Sequence, residues 1–462
     1  MDIHSVNRYF AQLDARAGDD VATYRKEHFP NYPHFGRSFD PFSKRDRKTV
    51  RKLFDAELEG HDFHPVMSSL VSHRKYYRRS DAIPRGYKWK DRPVKMASHR
   101  DRLLYGVWNH ELSALHKAWV TERGLFDNVV AYLPNRAASN IEAAKHAFDY
   151  LHGQADWHVA CLDVTGFFDN LNHRHLRRML EKLLGVEELP AIHNRLFRAT
   201  TRYSEVKRLS LERGPAAQKL IDNNLRQLAR DDGRLRKKLA AARLIRPNRK
   251  GKGIPQGLPC SGVLSNVYMI EFDETMVGAA AEVGGLYMRY ADDLFLACPS
   301  ADDVRTLEAL VRQEFDGALQ LEAKESKTER FAKANPEQNR VSYLGIDYRD
   351  GVIHLRESTV LRFERKLSRY IKSYVFSTMA REHVEPSLKK LRAKYGHTGS
   401  RNFYSYARRV KEAFDSDAEQ RYDTTPVLHR LKGVLPQIEG QYQAAVKTYT
   451  DRTERRMLLA ST

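Results

Sequence analysis

Apolar residues recur at helical spacing through much of the chain, interrupted by short β-prone runs. Residues 1–80 carry the helical pattern and end in the basic, aromatic run HRKYYRRS. That run reads as a solvated helix end or as a contact for phosphates and bases. RGYKWKDRPVKM alternates like a short hairpin rich in cations, and DRLLYGVWNHELSALHKAWV returns to helical spacing. VVAYLPNRAASNIEAAKHAFDYL predicts a strand, a turn at Pro134-Asn135 and a helix from about Ser139. Residues 157–171 are β-rich. The helix after them is predicted to be capped by Asn172, to bury Leu176, Met179, Leu180, Leu183 and Leu184, and to stop at Gly185.

Residues 190–250 read as helical, polar and strongly basic. SGVLSNVYMIEFDETM predicts one helix, followed by a hairpin around Asp292 and Asp293 and a helix from about Ala301 to Phe315. Residues 341–355 predict another β-hairpin, and from about Ser358 the pattern is helical to the end. This irregular alternation predicts an α+β fold with a helical C-terminal region.

Charge narrows the function. Lys and Arg number 79 against 59 Asp and Glu, a formal net charge of +20. Such an excess points to nucleic acid as partner, with an anionic membrane second. No apolar stretch reaches the roughly 18 residues of a membrane span, and the N-terminus lacks a signal-peptide pattern. Cys161, Cys260 and Cys298 show no metal-site spacing, which fits reduced thiols in a cytoplasmic protein.

RYADDLFLACP places two adjacent acids between apolar runs. Asp163, in ACLDVTGFF, lies on a second β-rich run. Carboxylates that repel one another become favourable around hard divalent cations, which prefer oxygen ligands. Two such ions clamp the attacking and leaving oxygens of a phosphoryl displacement. An acidic turn is the bland alternative. GIPQGLPCSG supplies small residues of the kind that let a backbone approach a nucleotide.

Taken in order, CLDVTGFFDNLNH, KGIPQGLPCSGVLSN and RYADD resemble the reverse transcriptases over about residues 85–350. The resemblance implies a right-hand polymerase fold. Its expected parts are an N-terminal helical extension (1–80), fingers (81–160, with part of 190–255), a palm (161–355, including a basic insertion at 190–252) and a helical thumb (356–462). It implies RNA-directed DNA polymerase activity with two Mg²⁺ ions, Mn²⁺ being the alternative, held by Asp163, Asp292 and Asp293. Lys327, in LEAKESKTE, would approach the leaving pyrophosphate. Arg92 with Lys88 or Lys90 would hold the triphosphate, Gln256 would support the nucleotide and template, and Phe168 would be the gate against a 2′-hydroxyl. Tyr290 would support the hairpin or touch the primer end, and Gly345, in SYLGI, would belong to the hairpin that grips it. QGLPCSG carries Gly262 where intron-type enzymes usually have Pro.

VVAYLPNRAASNIEAAKHAFDYL is similar to the free-standing bacterial reverse transcriptases of the abortive-infection and "unknown group" lineages. That similarity implies antiphage defence and an associated noncoding RNA as template, with primer, DNA product and deoxynucleotides as the other partners. A charge run is ordinarily a solvated helix face. Here Arg234, Arg236, Lys237, Lys238, Arg249 and Lys250 lead into the GIPQG motif, which favours phosphate contacts. Two other readings stay open: a maturase-like RNA-binding protein, and a DNA polymerase working without a template.

Overall fold

In the computed structural model of the chain, residues 1–29, 32, 34, 38–76, 87–133, 140–208, 237, 239–382, 384, 386–397 and 402–460 are described. Short polar side chains start the first helices: Asp2 caps α1 (Ile3–Ala17), Asp20 caps α2 (Val21–His28) and Ser43 caps α3 (Lys44–Asp55). The helical pattern expected through residue 80 stops earlier, at a long strand β1 (Val66–Tyr76), with β2 (Tyr87–Met96) after it. Pairing decides this. Met67 lies opposite Val206 of a later strand, and the two bury against Leu239.

Ser98 caps α4 (His99–Glu122). The strand expected after it is instead a series of turns, joined to the sheet by one isolated bridge, Val129 to Arg289. Pro134, Asn135 and Ser139 lie outside the described residues, and α5 spans Asn140–His152. After β3 (His158–Asp163), Gly166 turns the chain at φ +56° into a single helical turn, α6 (Phe167–Asn170). Phe167 is therefore a core aromatic on a helix, not on a strand. The next helix, α7 (His173–Leu184), has the expected Asn172 cap and Gly185 stop, and buries Leu176, Met179, Leu180 and Leu183 of the expected stripe, while Leu184 is only partly buried.

In the described part of the segment 190–250, short strands interrupt the expected helical pattern. α8 (Ala191–Thr201) is followed by strands β4 (Ser204–Lys207) and β5 (Arg246–Pro247); residues 209–236 and 238 lie outside the described set. The single helix expected from Ser261 is broken at Met269 into α9 (Ser261–Tyr268) and α10 (Ile270–Glu282). Strands β6 (Leu286–Tyr290) and β7 (Asp293–Cys298) form the expected hairpin, and α11 (Ala301–Glu314) follows. Then come β8 (Glu329–Ala332), β9 (Val341–Tyr343), β10 (Ile346–Arg349) and β11 (Val352–Leu355). The helices α12 (Glu357–Glu382), α13 (Leu388–Tyr395), α14 (Phe403–Asp415) and α15 (Thr425–Ala460) end the chain.

The chain divides into two units. The first comprises residues 1–72, 91–136 and 160–329. It contains the neighbouring strands β6, β7 and β3. Its core gathers Leu104, Trp108, Met179, Tyr268 and Phe272. The second comprises residues 73–90, 137–159 and 330–462. Here the expected two-stranded hairpin is a three-stranded antiparallel sheet, with Ile346 of β10 opposite both Tyr343 of β9 and Leu355 of β11. Leu367, Ile371, Val375, Leu391 and Ile438 form the separate core of the C-terminal helices. Among the described residues, no helix is long and apolar enough to cross a membrane.

Candidate active site

The β6–β7 hairpin pairs Tyr290 with Asp293, so Ala291 and Asp292 alone make the turn. Ala291 sits at φ +58°, a left-handed conformation that costs a non-glycine residue energy. A buried network holds it there. Arg289 Nε and Nη2 donate to the Asp273 carboxylate at 2.8 and 2.5 Å, while Nη1 donates to Asn266 Oδ1 at 3.1 Å and to the Ala291 carbonyl at 3.2 Å. Burial works against the guanidinium charge, but the attraction of Asp273 outweighs it and raises the Arg289 pKa. The adjacent acids are not buried together. Asp292 is half-buried and Asp293 exposed, whereas Leu294 to Cys298 are all buried.

Asp163 ends β3 beside this turn. The Val164 N–H donates to the Asp292 carbonyl at 3.0 Å, and the Thr165 N–H donates to the Glu322 carbonyl at 2.8 Å. The second bond draws in the segment that carries Lys327. Its Nζ lies 2.5 Å from Asp163 Oδ2, with both side chains partly exposed. Asp163, Asp292 and Lys327, distant in sequence, thus come from three neighbouring segments. Among the described residues, no group of three or more His, Cys, Asp or Glu forms a cluster able to hold a metal ion. The acids are not drawn into a closed cage.

The GIPQG loop is stitched to the segment after Asp163. Gly253 N–H donates to Leu171 C=O and Ile254 N–H to Phe168 C=O, both at 2.8 Å. Gly253 has φ +84°, and a Cβ there would lie 2.8 Å from the Asp169 carbonyl oxygen. Gln256 is tied through its carbonyl to Lys95 N–H at 2.8 Å. This stitching sets Phe168 and Gln256 on the wall of one cavity of about 500 Å³, with Tyr132 and, from α1, Gln12 and Arg16.

Sequence reading missed Tyr132. It is 49% exposed, unusual for a large aromatic, and has φ +63°. Its ring packs so closely on Gly262 that a Cβ there would lie 2.7 Å away. Asn266 places it by donating to the Ala131 carbonyl at 2.8 Å. Burial, then the charge of Asp292, raises the Tyr132 pKa. Nothing in VVAYLP marks this tyrosine; Gly262, in place of a proline, is the one sequence signal beside it. Arg289 and Asp273 were missed too, although an arginine inside an apolar strand run calls for a buried acid.

The other expected site residues are more dispersed. Arg92 is exposed on β2, and Lys88 and Lys90 are exposed on the part of β2 in the second unit, which also contains Gly345. Gly345 has φ +93°, and its carbonyl accepts from Tyr406 Oη at 3.4 Å. Tyr290 is half-buried, its pKa raised by burial and then by Asp293. Arg249 and Lys250 are exposed and line a cleft with Arg174; Lys237 is exposed as well. Arg234, Arg236 and Lys238 lie outside the described residues. Cys260 and Cys298 are buried free thiols, with pKa values pushed up to about 12 by burial.

A family profile described as "Reverse transcriptase (RNA-dependent DNA polymerase)" matches residues 90–348, more than half of the chain. No curated protein matches the sequence. Among solved structures, the chain is similar to apo telomerase from Candida tropicalis truncated from its C-terminal domain, at 9% identity and TM-score 0.41, over 66% of this chain and 59% of that one. It is similar also to Candida albicans telomerase solved with a fragment of telomeric RNA, at 13% identity and TM-score 0.36, over 84% and 61%. A fuller Candida tropicalis apo telomerase matches at 12% identity and TM-score 0.40, over 94% and 67%. The chain spans about three fifths of the length of the first two.

Proposed function

The chain belongs to the reverse transcriptase family, and on that premise we propose that it copies RNA into DNA by nucleotidyl transfer at Asp163, Asp292 and Asp293. Enzymes of this family generally use divalent metal ions. The single observation that carries the proposal is the 3.0 Å bond from Val164 N–H to the Asp292 carbonyl, which holds the two acid-bearing segments side by side. Carboxylates on adjoining segments, with no soft ligand among them, suit Mg²⁺, which typically takes only one or two carboxylates and completes its shell with waters and substrate phosphates. An open acidic set fits that habit. The contact of Lys327 with Asp163 supports this reading.

In this reading Asp163 and Asp292 would hold two Mg²⁺ ions, with Asp293 in support. The bound ions supply charge neutralisation for the attacking 3′-hydroxyl and the leaving pyrophosphate. Lys327, beside Asp163, would bind the leaving pyrophosphate. Phe168 excludes the 2′-hydroxyl of a ribonucleotide, and Gln256 supports the nucleotide from a loop fixed to Phe168 and Lys95. Incorporation of deoxynucleotides on an RNA template by the wild type, and its loss in Asp292→Ala, tests the assignment; activity surviving that substitution overturns it.

The template we assign is a noncoding RNA, used in cytoplasmic antiphage defence. The supporting observation is the similarity of residues 129–151 to the defence-associated lineages. Sequencing the nucleic acid that copurifies with the protein tests this. One abundant structured RNA supports it, and bulk cellular RNA alone counts against it.

A further inference from the structure

Cations on α8 have no role in the reaction above. Arg195, Arg198 and Arg202 recur every three to four residues along α8 and its C-cap, which places them on one face. They line a cavity of about 420 Å³ together with His61, His64 and Tyr203. The one acid in its lining is Asp62. Among the described residues, none of the three guanidinium groups forms an ion pair or side-chain hydrogen bond. Like charges at this spacing repel, so the arrangement suits a ligand that brings several negative charges.

Hydrogen bonds tie other lining residues to the fold. His61 Nε2 lies 2.9 Å from Asp101 Oδ1, and the His64 N–H donates to Asp101 Oδ2 at 2.9 Å. Asp101 is itself buried at the head of α4, its N–H capped by Ser98. Tyr203 is fixed by Lys95, whose Nζ donates to its hydroxyl at 2.6 Å. A second cleft, of about 760 Å³, shares Arg202 and adds Arg174, Arg249 and Lys250. Neither cleft shares a lining residue with the cavity beside Phe168 and Gln256.

We propose that the α8 face and the 247–251 loop form one continuous track for the phosphate backbone of a single nucleic-acid strand, apart from the nucleotide cavity. A row of cations across two joined clefts matches the repeated charges of a strand better than the compact charge of one phosphate. Phe63 and Tyr203 also line the first cleft, aromatic residues of the kind on which unpaired bases stack. The track goes beyond the polymerase assignment and stands whether or not the aspartates polymerise.

The test uses the full chain and labelled single-stranded RNA and DNA oligonucleotides, with affinity measured against salt. Changing Arg195, Arg198 and Arg202 together to Gln should weaken binding of either strand. It should also make the slope of log affinity against log salt shallower by about 2, three phosphate contacts at roughly 0.7 each. Changing Lys44, Arg45 and Lys48 of α3 to Gln removes the same charge and should leave the slope alone. Replacing the three arginines by Lys should keep the slope, which separates lost charge from lost folding. Equal losses in the α8 and α3 glutamine variants would reduce the effect to net charge and overturn the track. So would displacement of the strand by inorganic phosphate at moderate concentration, which marks a small-anion site.

Discussion

Lys327 Nζ lies 2.5 Å from the carboxylate of Asp163, 164 positions away in sequence. The contact puts a cation on the acid that we propose as a metal ligand. With both partners partly exposed, the pair itself adds little stability. Lys327→Ala should therefore leave the unfolding midpoint nearly unchanged. Primer extension should fall by about a hundredfold or more, the scale of losing one charge partner at a reacting phosphate. Single-turnover rates paired with a thermal melt check both parts.

Removing metal should separate activity from folding. The three acids form no closed cage, so chelation should abolish incorporation and leave the melting temperature within about one degree. Structural metal sites behave differently, because their binding energy is folding energy. Calorimetry with and without chelator, alongside an extension assay, makes the comparison.

Phe168 shares its cavity wall with Gln256 and Tyr132. Phe168→Ala opens space where a 2′-hydroxyl would sit. Discrimination against ribonucleotides should drop by about 10- to 100-fold, the usual worth of a steric pocket contact. The ratio of kcat/KM for deoxy- and ribonucleotides measures it. Unchanged discrimination would remove Phe168 from the gate.

Arg289 and Asp273 are 0% and 1% exposed. Asp273→Ala strands a buried guanidinium and should destabilise the fold by about 3–5 kcal/mol, as breaking a buried pair does. It should also loosen the strained turn at Ala291. The double change Asp273→Leu with Arg289→Met should recover much of the stability. It should not recover activity, because the Ala291 carbonyl and Asn266 still lose their donor. Urea denaturation of the three proteins, with extension rates, distinguishes the two effects.

At Gly253, φ +84° and the 2.8 Å approach to the Asp169 carbonyl leave no room for a methyl group. Gly253→Ala should cost about 1–3 kcal/mol of backbone strain and raise the KM for deoxynucleotides by shifting the Gln256 loop. Gly278, in open space on α10, should accept Ala at no loss. Equal behaviour of the two variants in denaturation would count against the loop argument.

Local chemistry made part of this protein legible from its sequence. Asn172 and Gly185 bound α7 because a cap and a left-handed stop act within a few residues. The β6–β7 hairpin is legible because two apolar runs flank a short polar pair, and the acidic motifs stand out because adjacent carboxylates are costly without a purpose. The α+β class follows from the alternation of these local signals.

Pairing between distant segments decided the rest. Residues 66–76 became a strand because Met67 found Val206, and residues 129–133 lost their expected strand to turns that lean on Arg289. Tyr132 has its place through Asn266 and Gly262, and the α8 arginines share a cleft with His61 and His64 only after the chain folds. Sequence spacing reports which residues neighbour one another along a helix or strand. Which elements meet depends on the burial of their apolar faces and on closing each buried hydrogen bond, and those partners are known only in the folded chain.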